Sequence, residues 1–195
     1  MEIIKFIATT IREYLNEQQI LNEGRLSIPK TKLNGVFYHG SILLEDDDLF
    51  DEFDLGYSDW DAIWLADNET VAEEFSDWRG GYDNEIKLVF RVKINVNSIA
   101  DVSYELSERI NEIWGLSDFR EAIPLLKQRG FNGWVATGWL DRIQYNDIAI
   151  FNPSSINIQD VKLFLDDNWS DFMNMNDAQE LIEKHRGGKN KTKRL

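Results

Sequence analysis

The segment EIKLVFRVKINV, residues 85–96, constrains the fold of this chain more than any other feature. Apolar residues recur at every second position, and basic or amide side chains occupy most of the positions between them. Successive side chains of a β-strand point to opposite faces of a sheet, so the alternation predicts a strand with one buried face. The buried face would carry Ile86, Leu88, Phe90, Val92, Ile94 and Val96. A strand of this kind needs partners, so the chain must build a sheet.

Five shorter segments are predicted to supply those partners. They are GVFYHGS (35–41), with His39 at the end of the strand, AIWLA (62–66), GWVAT (133–137), DIAIF (147–151) and INIQDVKLFL (156–165). A polar stretch, GWLDRIQYN (138–146), is predicted as a loop between the third and fourth of them. No long alternation of strands with crossover helices and no internal repeat is visible. The fold class is therefore predicted to be α+β.

Helices are predicted at five places by apolar spacing and by capping residues. The first covers residues 1–24 and packs on the body. The second, DNETVAEEFSDW (67–78), has Asp67 or Asn68 as its N-cap and stops at Gly80-Gly81. The third runs from about Tyr104 to Trp114. The fourth, SDFREAIPLLKQRG (117–130), is capped by Ser117, bent at Pro124 and ended by Gly130, and the fifth spans Trp169 to Lys184.

Length and composition narrow the possible classes of protein. A chain of 195 residues suits one domain. We divide it into the N-terminal helix (1–24), a body (25–165) and a C-terminal helix with a basic tail (166–195). The formal charge of −14 opposes broad nucleic-acid binding, and the absence of cysteine excludes disulfides and thiolate zinc sites. No apolar stretch approaches the ~20 residues of a membrane span, so we expect a soluble cytoplasmic protein.

Several widespread catalytic motifs do not occur in the sequence. There is no phosphate-binding glycine-rich loop ending in lysine, no GxGxxG, no HExxH and no GxSxG. With two histidines and no cysteine, a catalytic zinc would depend on carboxylates, and no spacing offers that set. The acidic run EDDDLFDEFD (45–54), predicted as loop, lacks the glycine and terminal glutamate of a calcium-binding loop. We therefore predict no metal.

Four remaining pieces resemble the ADP-ribosyltransferase superfamily, in the branch whose first motif contains histidine. YHGS (38–41) resembles the first motif. IWLADNETVAEEFS (63–76) resembles the second, with Trp64 and Phe75 at the spacing of its two aromatics. LKQRGFNGWVA (126–136) and YNDIAIFNPSSI (145–156) resemble the closing portion, with Asp147 at the position of the catalytic glutamate. The similarity covers about residues 35–160 and implies a split, mixed or antiparallel sheet with flanking helices.

The resemblance implies NAD as the substrate and assigns a role to each matching residue. Cleavage of the nicotinamide bond passes through an oxocarbenium-like sugar, which the Asp147 carboxylate would stabilise. His39 would bind a ribose hydroxyl, supported by Ser41, and Gly40 would let the backbone approach the carboxamide. Trp64 and Phe75 would hold the nicotinamide ring. The family contacts its targets from the region of residues 138–146, where Trp139, Arg142 and Tyr145 would recognise the acceptor.

Some positions depart from the family pattern. Aspartate is one methylene shorter than the usual glutamate, and neither aromatic is the usual tyrosine. Members that modify arginine or asparagine often carry Glu or Gln two residues before the catalytic glutamate, whereas Tyr145 stands there in this chain. Asp141 or Gln144 could substitute if the register differs. His39, Trp64 and Phe75 also have a plain structural explanation as buried core residues, and Asp147 as a charge exposed at the start of its strand.

Three functions remain open at this point. The first is a mono-ADP-ribosyltransferase, encoded by a phage as an effector or by a bacterium as a toxin or defence protein. Its acceptor would be a protein rather than a nucleic acid because of the negative charge, and an antitoxin or inhibitor could bind it. The second is a noncatalytic acidic binding or inhibitor protein on the same fold. The third is an NAD glycohydrolase, in which water replaces the acceptor.

Overall fold

A computed structural model describes residues 26–44, 49, 61–78, 86–140 and 142–192 of the chain. Predictions for residues 1–24, for most of the acidic run and for Gly80-Gly81 lie outside these ranges. The strands are β1 (Lys30–Leu43), β2 (Ile63–Ala66), β3 (Ile86–Val102), β4 (Gly133–Leu140), β5 (Ile143–Ile150), β6 (Ile156–Leu165) and β7 (Asn168–Trp169). The α-helices are α1 (Glu69–Trp78), α2 (Tyr104–Trp114), α3 (Ile123–Gln128) and α4 (Met175–Thr192). Short 3-10 helices cover Phe119–Ala122 and Pro153–Ser155.

The seven strands form one mixed sheet in the order β1-β2-β5-β4-β3-β6-β7, with an additional pairing of β1 to β3. Along one edge, β3 pairs antiparallel with β1 from Ile86 to Ala100. Along its other edge it pairs first with β6, antiparallel, and then with β4, parallel. The sheet therefore splits at β3, and the remaining pairs are antiparallel. The predicted α+β class with a split, mixed sheet is confirmed.

The alternating segment lies at the centre of this sheet as β3. Its even-numbered apolar residues are buried, and Leu88, Phe90 and Val92 are fully so. The C-terminal helix α4 packs on this core through Ala178 and Ile182. It starts later than the predicted Trp169 because Asn168–Trp169 pairs with the end of β6 as β7. No helix within the described ranges combines the length and apolar character that a bilayer crossing requires.

Two predictions about strand ends are wrong. Strand β1 does not end at His39 but continues through Leu43, because β3 offers it paired positions as far as Ile86. Residues 138–146 are not a loop, since β4 runs to Leu140 and β5 starts at Ile143. The two strands form a hairpin with a two-residue connection, and Arg142 adopts a φ of 79° there. Asp147 consequently lies in the middle of β5 rather than at its start.

Helix boundaries follow their caps. Asn68, one of the two predicted candidates, caps α1 by accepting hydrogen bonds from the backbone N–H groups of Thr70 and Val71. The fourth predicted helix starts differently: Asp118, not Ser117, caps a 3-10 turn by accepting from the N–H of Arg120. Pro124 does not bend a helix, because it stands in the first turn of α3, where proline needs no hydrogen-bond partner for its nitrogen. Gly130 follows that helix with a left-handed φ of 77°.

Candidate active site

A cleft of about 560 Å³ opens over the β4–β5 face of the sheet. Six residues predicted for the site line it: His39, Gly40, Trp64, Phe75, Tyr145 and Asp147. The pairing of β1 with β2 and of β2 with β5 explains why residues of these three strands meet. Tyr38 of β1 is paired with Ala66 of β2, and Ala66 is in turn paired with Asp147 of β5. His39 and Asp147 are thereby brought close in space across 108 positions of sequence.

Asp147 stands between two alanines. Its neighbour on β2 is Ala66 and its neighbour on β4 is Ala136, so the side chains beside it on this face are short. The carboxyl is partly buried and has neither an ion pair nor a hydrogen bond to another described residue. Burial raises its pKa from 3.8 to about 6, and the positive charge of Arg120 opposes that rise. Keeping the ionised carboxylate in the cleft therefore costs desolvation free energy.

His39 is oriented by the backbone of β2. The side chain is 6% exposed, and its Nδ1 lies 2.6 Å from the carbonyl oxygen of Trp64. A carbonyl oxygen only accepts hydrogen bonds, so Nδ1 carries the proton and donates it. In the neutral ring, Nε2 then holds the lone pair. The hydrogen bond fixes both the tautomer and the plane of the imidazole.

The packing of α1 requires glycine at position 40, which the sequence pattern did not indicate. A β-carbon at this position would lie 1.8 Å from the backbone oxygen of Ala72 in α1. No real β-carbon approaches a backbone atom so closely, and the helix would have to move to admit one. The glycine therefore allows α1, which carries Phe75, to pack directly against β1 beside His39.

Aromatic side chains wall the cleft in two separate groups. Trp64 packs edge-to-face on Trp134, with ring centroids 5.2 Å apart, and Phe119 packs on the same indole at 4.6 Å. Phe75 packs edge-to-face on Tyr145 at 5.7 Å. The Tyr145 ring lies against Gly138 on the neighbouring strand, where a β-carbon would lie 2.5 Å from it. The two predicted aromatics thus belong to different clusters that face the same cleft.

Ser41 and Arg142, which were also predicted for the site, lie apart from these walls. Ser41 is 2% exposed and is not part of the lining. Arg142 is exposed in the β4–β5 connection, and the side chain of Trp139 lies outside the described part of the structure. Tyr145, predicted together with Arg142 and Trp139 as a target contact, lines the cleft itself, two residues from Asp147 on the same face of β5. Burial raises the pKa of Tyr145, and the charge of Asp147 adds to the effect.

The crossover from β3 to β4 contributes further residues to the cleft, and no sequence motif predicted them. Tyr104 and Ser107 of α2 and its N-cap Ser103 line the cleft, together with Phe119 and Arg120 of the following 3-10 helix and its N-cap Asp118. Arg120 Nε donates to both carboxylate oxygens of Asp118 at 3.0 Å, and its hydrogen bonds hold the pKa of Asp118 below its ordinary value. The parallel pairing of β3 and β4 requires a crossover connection, which places these residues over the cleft. Their position therefore follows from the topology, and no local sequence motif marks it.

The cleft has the composition of a site for an organic ligand with a polar reacting centre. It combines aromatic walls, an oriented imidazole and a carboxyl that lacks a partner among the described residues. Across the ranges that the structure describes, no three histidine, aspartate or glutamate side chains come together as a metal centre.

Comparison with known proteins gives one structural similarity. The chain resembles a chain in the crystal structure of the M. tuberculosis MbcT-MbcA toxin-antitoxin complex, with a TM-score of 0.44 and 11% sequence identity. The match covers 89% of this chain and 99% of that chain. The sequence matches no protein-family model and no curated protein. A similarity of this size carries no argument about activity or partners.

Proposed function

We propose that this protein cleaves the bond between nicotinamide and ribose in NAD and transfers ADP-ribose to a macromolecular acceptor. The observation that carries the proposal is the Asp147 carboxyl, which is partly buried without a partner among the described residues, in a cleft that also contains the oriented His39. Perturbed carboxyl groups in clefts are characteristic of functional sites. The resemblance of the surrounding sequence to the ADP-ribosyltransferase motifs supports the same substrate.

Asp147 would act on the sugar. As the nicotinamide bond lengthens, positive charge develops on the ribose ring, and an ionised carboxylate in a poorly solvated cleft stabilises that charge more strongly than water does. With a pKa of about 6, the group is largely ionised at neutral pH. Ala66 and Ala136 on either side leave space above the carboxyl for a sugar ring.

His39 and the aromatic walls would place the substrate. The Trp64 carbonyl fixes the orientation of the imidazole, and His39 would hydrogen-bond a ribose hydroxyl. Trp64 and Phe75 offer aromatic faces to the nicotinamide ring, which carries a positive charge in NAD. Gly40 and Ser41 continue β1 at this end of the site, with Gly40 contributing backbone to the lining.

The acceptor would approach from the β4–β5 hairpin. Beyond the pairs that β5 makes with β2, residues 143–146 are paired with β4, and this part of the hairpin borders the cleft. Trp139 and Arg142 are the proposed contacts there. The charge of −14 favours a protein acceptor over a nucleic acid. A toxin, defence protein or phage effector would use such a reaction, and a protein inhibitor that covers the cleft would control it.

The first experiment measures nicotinamide release from NAD by the purified protein, with and without bacterial lysate. Asp147→Ala is the test variant, and Asp171→Asn is the matched control because Asp171 is exposed and does not line the cleft. We expect release from the wild type and from the control and none from Asp147→Ala. Labelled NAD then identifies the acceptor as a protein or a nucleic-acid band.

The remaining functions are separate outcomes of this experiment. Release that does not depend on lysate and leaves no labelled product indicates an NAD glycohydrolase. If the wild type releases no nicotinamide under either condition, the enzymatic proposal fails, and a noncatalytic binding or inhibitor protein on the same fold becomes the better description.

A further inference from the structure

The connection between β2 and α1 consists of two residues, Asp67 and Asn68, and the side chains of both accept hydrogen bonds. Both carboxylate oxygens of Asp67 contact Asn146 on β5. Oδ1 accepts a hydrogen bond from the backbone N–H of Asn146 at 2.8 Å, and Oδ2 accepts one from the Asn146 side-chain amide at 2.5 Å. Asn68 caps α1. We call the pair of bonds from Asp67 to Asn146 the clamp.

The clamp stands at the point where one side of β5 loses its partner strand. The ladder between β2 and β5 ends with Ala66 paired to Asp147. Asn146 is the next residue of β5 toward the hairpin, and its register partner is Thr137 on β4. Asp67 continues the contact with β5 by one residue beyond the ladder, but it does so through side-chain hydrogen bonds instead of backbone pairing. The residue held in this way is the immediate neighbour of Asp147.

The two-residue connection that contains Asp67 also links the two sides of the cleft. Asp67 fixes the backbone beside Asp147, while Asn68, the next residue, fixes the start of the helix that carries Phe75. A carboxylate that accepts two hydrogen bonds from one residue restrains both its position and its orientation. The distance between the carboxyl of Asp147 and the aromatic wall therefore depends on this short connection.

We propose that Asp67 is a positioning residue, which sets the place of the Asp147 carboxyl in the cleft through its two hydrogen bonds to Asn146. The inference rests on the proposed function only in that Asp147 is the reacting carboxylate. Its geometric part concerns the free protein and holds or fails without NAD.

Three variants separate position from charge and from stability. Asp67→Ala removes both bonds. Asp67→Asn removes the charge but keeps an acceptor for the Asn146 N–H, and its amide can bond the Asn146 side chain after that amide turns over. Asn174→Ala likewise removes two bonds to one residue: Asn174 Oδ1 accepts from the N–H of Asp177 at the start of α4, and the Asn174 amide donates to the Asp177 carboxylate, outside the cleft lining. It serves as the control for a general loss of stability.

The first measurement is the titration of the Asp147 carboxyl, followed by its ¹³C signal in NMR spectra of each free variant. The other titratable and charged residues of the cleft lining are His39, Tyr104, Asp118, Arg120 and Tyr145, and all remain unchanged. We expect the midpoint to move down toward the ordinary aspartate value in Asp67→Ala, because a loosened strand admits water to the carboxyl. It should stay near the wild-type midpoint in Asp67→Asn and in Asn174→Ala.

The second measurement is steady-state nicotinamide release. For Asp67→Ala we expect a fall in kcat of about 10- to 100-fold, the effect of displacing a reacting group by about 1 Å. The change in KM should stay within about threefold, since the walls that bind NAD remain. Asp67→Asn should recover most of the loss.

Two results overturn the inference. If Asp67→Asn shifts the titration and kcat as much as Asp67→Ala does, the charge of Asp67 matters and its hydrogen bonds do not. If Asp67→Ala behaves like Asn174→Ala in both measurements, the clamp does not position Asp147. A wild type that releases no nicotinamide, with an Asp147 titration that still responds to Asp67→Ala, refutes the proposed function and leaves the positioning intact.

Discussion

Two regions of this protein bury a charged group, and they treat it in opposite ways. On β6, Lys162 is 5% exposed and its ammonium forms ion pairs with Glu69 and Glu73 of α1. The rings of Trp169 and Phe172 lie within 5.4 Å of the same nitrogen. On β5, Asp147 has no such pair among the described residues. The Lys162 charge is paired by its surroundings, whereas the Asp147 charge has no pair within the described ranges.

The pKa values express the same difference. Burial would lower the pKa of Lys162, but the hydrogen bonds and charges of Glu69 and Glu73 outweigh it and raise the pKa, so the charged form is favoured. Burial raises the pKa of Asp147 to about 6, and the charged form is disfavoured. The Lys162 group fastens α1 to the sheet, which is a structural task. The raised pKa of Asp147 implies a cost to stability at neutral pH, and perturbed carboxyl groups of this kind cluster at functional sites.

The replacement Asp147→Asn should have the largest effect and tests the comparison from the side of the cleft. It removes the charge that stabilises the reacting sugar, so we expect nicotinamide release to fall by about 100- to 1,000-fold. It also removes a destabilising charge. The carboxyl of the folded protein has the raised pKa, so its cost to stability is absent below pH 3.8, grows between 3.8 and about 6, and is complete above.

The expected gain in stability for Asp147→Asn is about 1–3 kcal/mol at pH 7.5 and close to zero at pH 3.5. Urea unfolding at the two pH values measures it, with Asp171→Asn as the variant that should show neither change. A variant that loses activity and stability together at pH 7.5 would show that Asp147 supports the fold, and the contrast with Lys162 would disappear.

Lys162→Met tests the comparison at the paired charge on β6. It should lower the free energy of unfolding and leave activity nearly unchanged. Methionine fills similar space but leaves Glu69 and Glu73 without their cation. Because these two side chains are 41% and 26% exposed and can regain water, we expect a loss of about 2–3 kcal/mol, below the usual cost of breaking a fully buried pair. Nicotinamide release per folded molecule should change by less than about threefold.

A companion variant makes this second test specific. Replacing Lys162 by Met together with Glu69→Gln and Glu73→Gln removes the unpaired charges and should restore part of the lost stability. Urea unfolding and nicotinamide release are measured on the same preparations. If Lys162→Met instead abolishes release at unchanged stability, Lys162 belongs to the functional site, and the division between the two regions is wrong.

The sequence predicted the strands of the sheet better than their ends. The alternation of residues 85–96 identified β3, and Ser103 with Gly115 bounds α2 where the apolar spacing predicted a helix. The β4–β5 hairpin was missed because its connection lacks the Asn-Gly or Asp-Gly pair that usually marks such a turn, and Arg142 takes the left-handed conformation instead. This error placed Asp147 at a strand end, where an exposed carboxylate would need no explanation.

The candidate site could be predicted in part, for a related reason. Motif spacing indicated His39, Trp64, Phe75 and Asp147, which the structure brings to one cleft. Residues from the β3–β4 crossover could not be predicted, because their place depends on how thirty residues pack over the sheet rather than on any local pattern. Among them is Arg120, whose charge reaches Asp147.

Arg120→Gln should have the smallest effect of these variants. It tests how far a nearby cation offsets the effect of burial on the pKa of Asp147. In the wild type, the guanidinium lowers the pKa of Asp147 and so opposes the effect of burial. We expect release by the wild type to rise with pH through about 6 and to level off above 7, as the carboxyl ionises. Without the cation, the rising limb should move to higher pH by less than about one pH unit, since the Arg120 side chain is half-exposed and solvent screens its charge.

Arg120→Lys supplies the control for Arg120→Gln, because it keeps the positive charge and loses the forked contact with Asp118. The measurement is kcat/KM for NAD between pH 4.5 and 8. A limb that shifts equally in both variants would mean that the Asp118 contact, and not the charge, sets the pH dependence. A limb that moves to lower pH in Arg120→Gln would contradict the assignment, because loss of a nearby cation can only make the carboxylate harder to form. Asp147 would then not be the group whose ionisation limits the reaction.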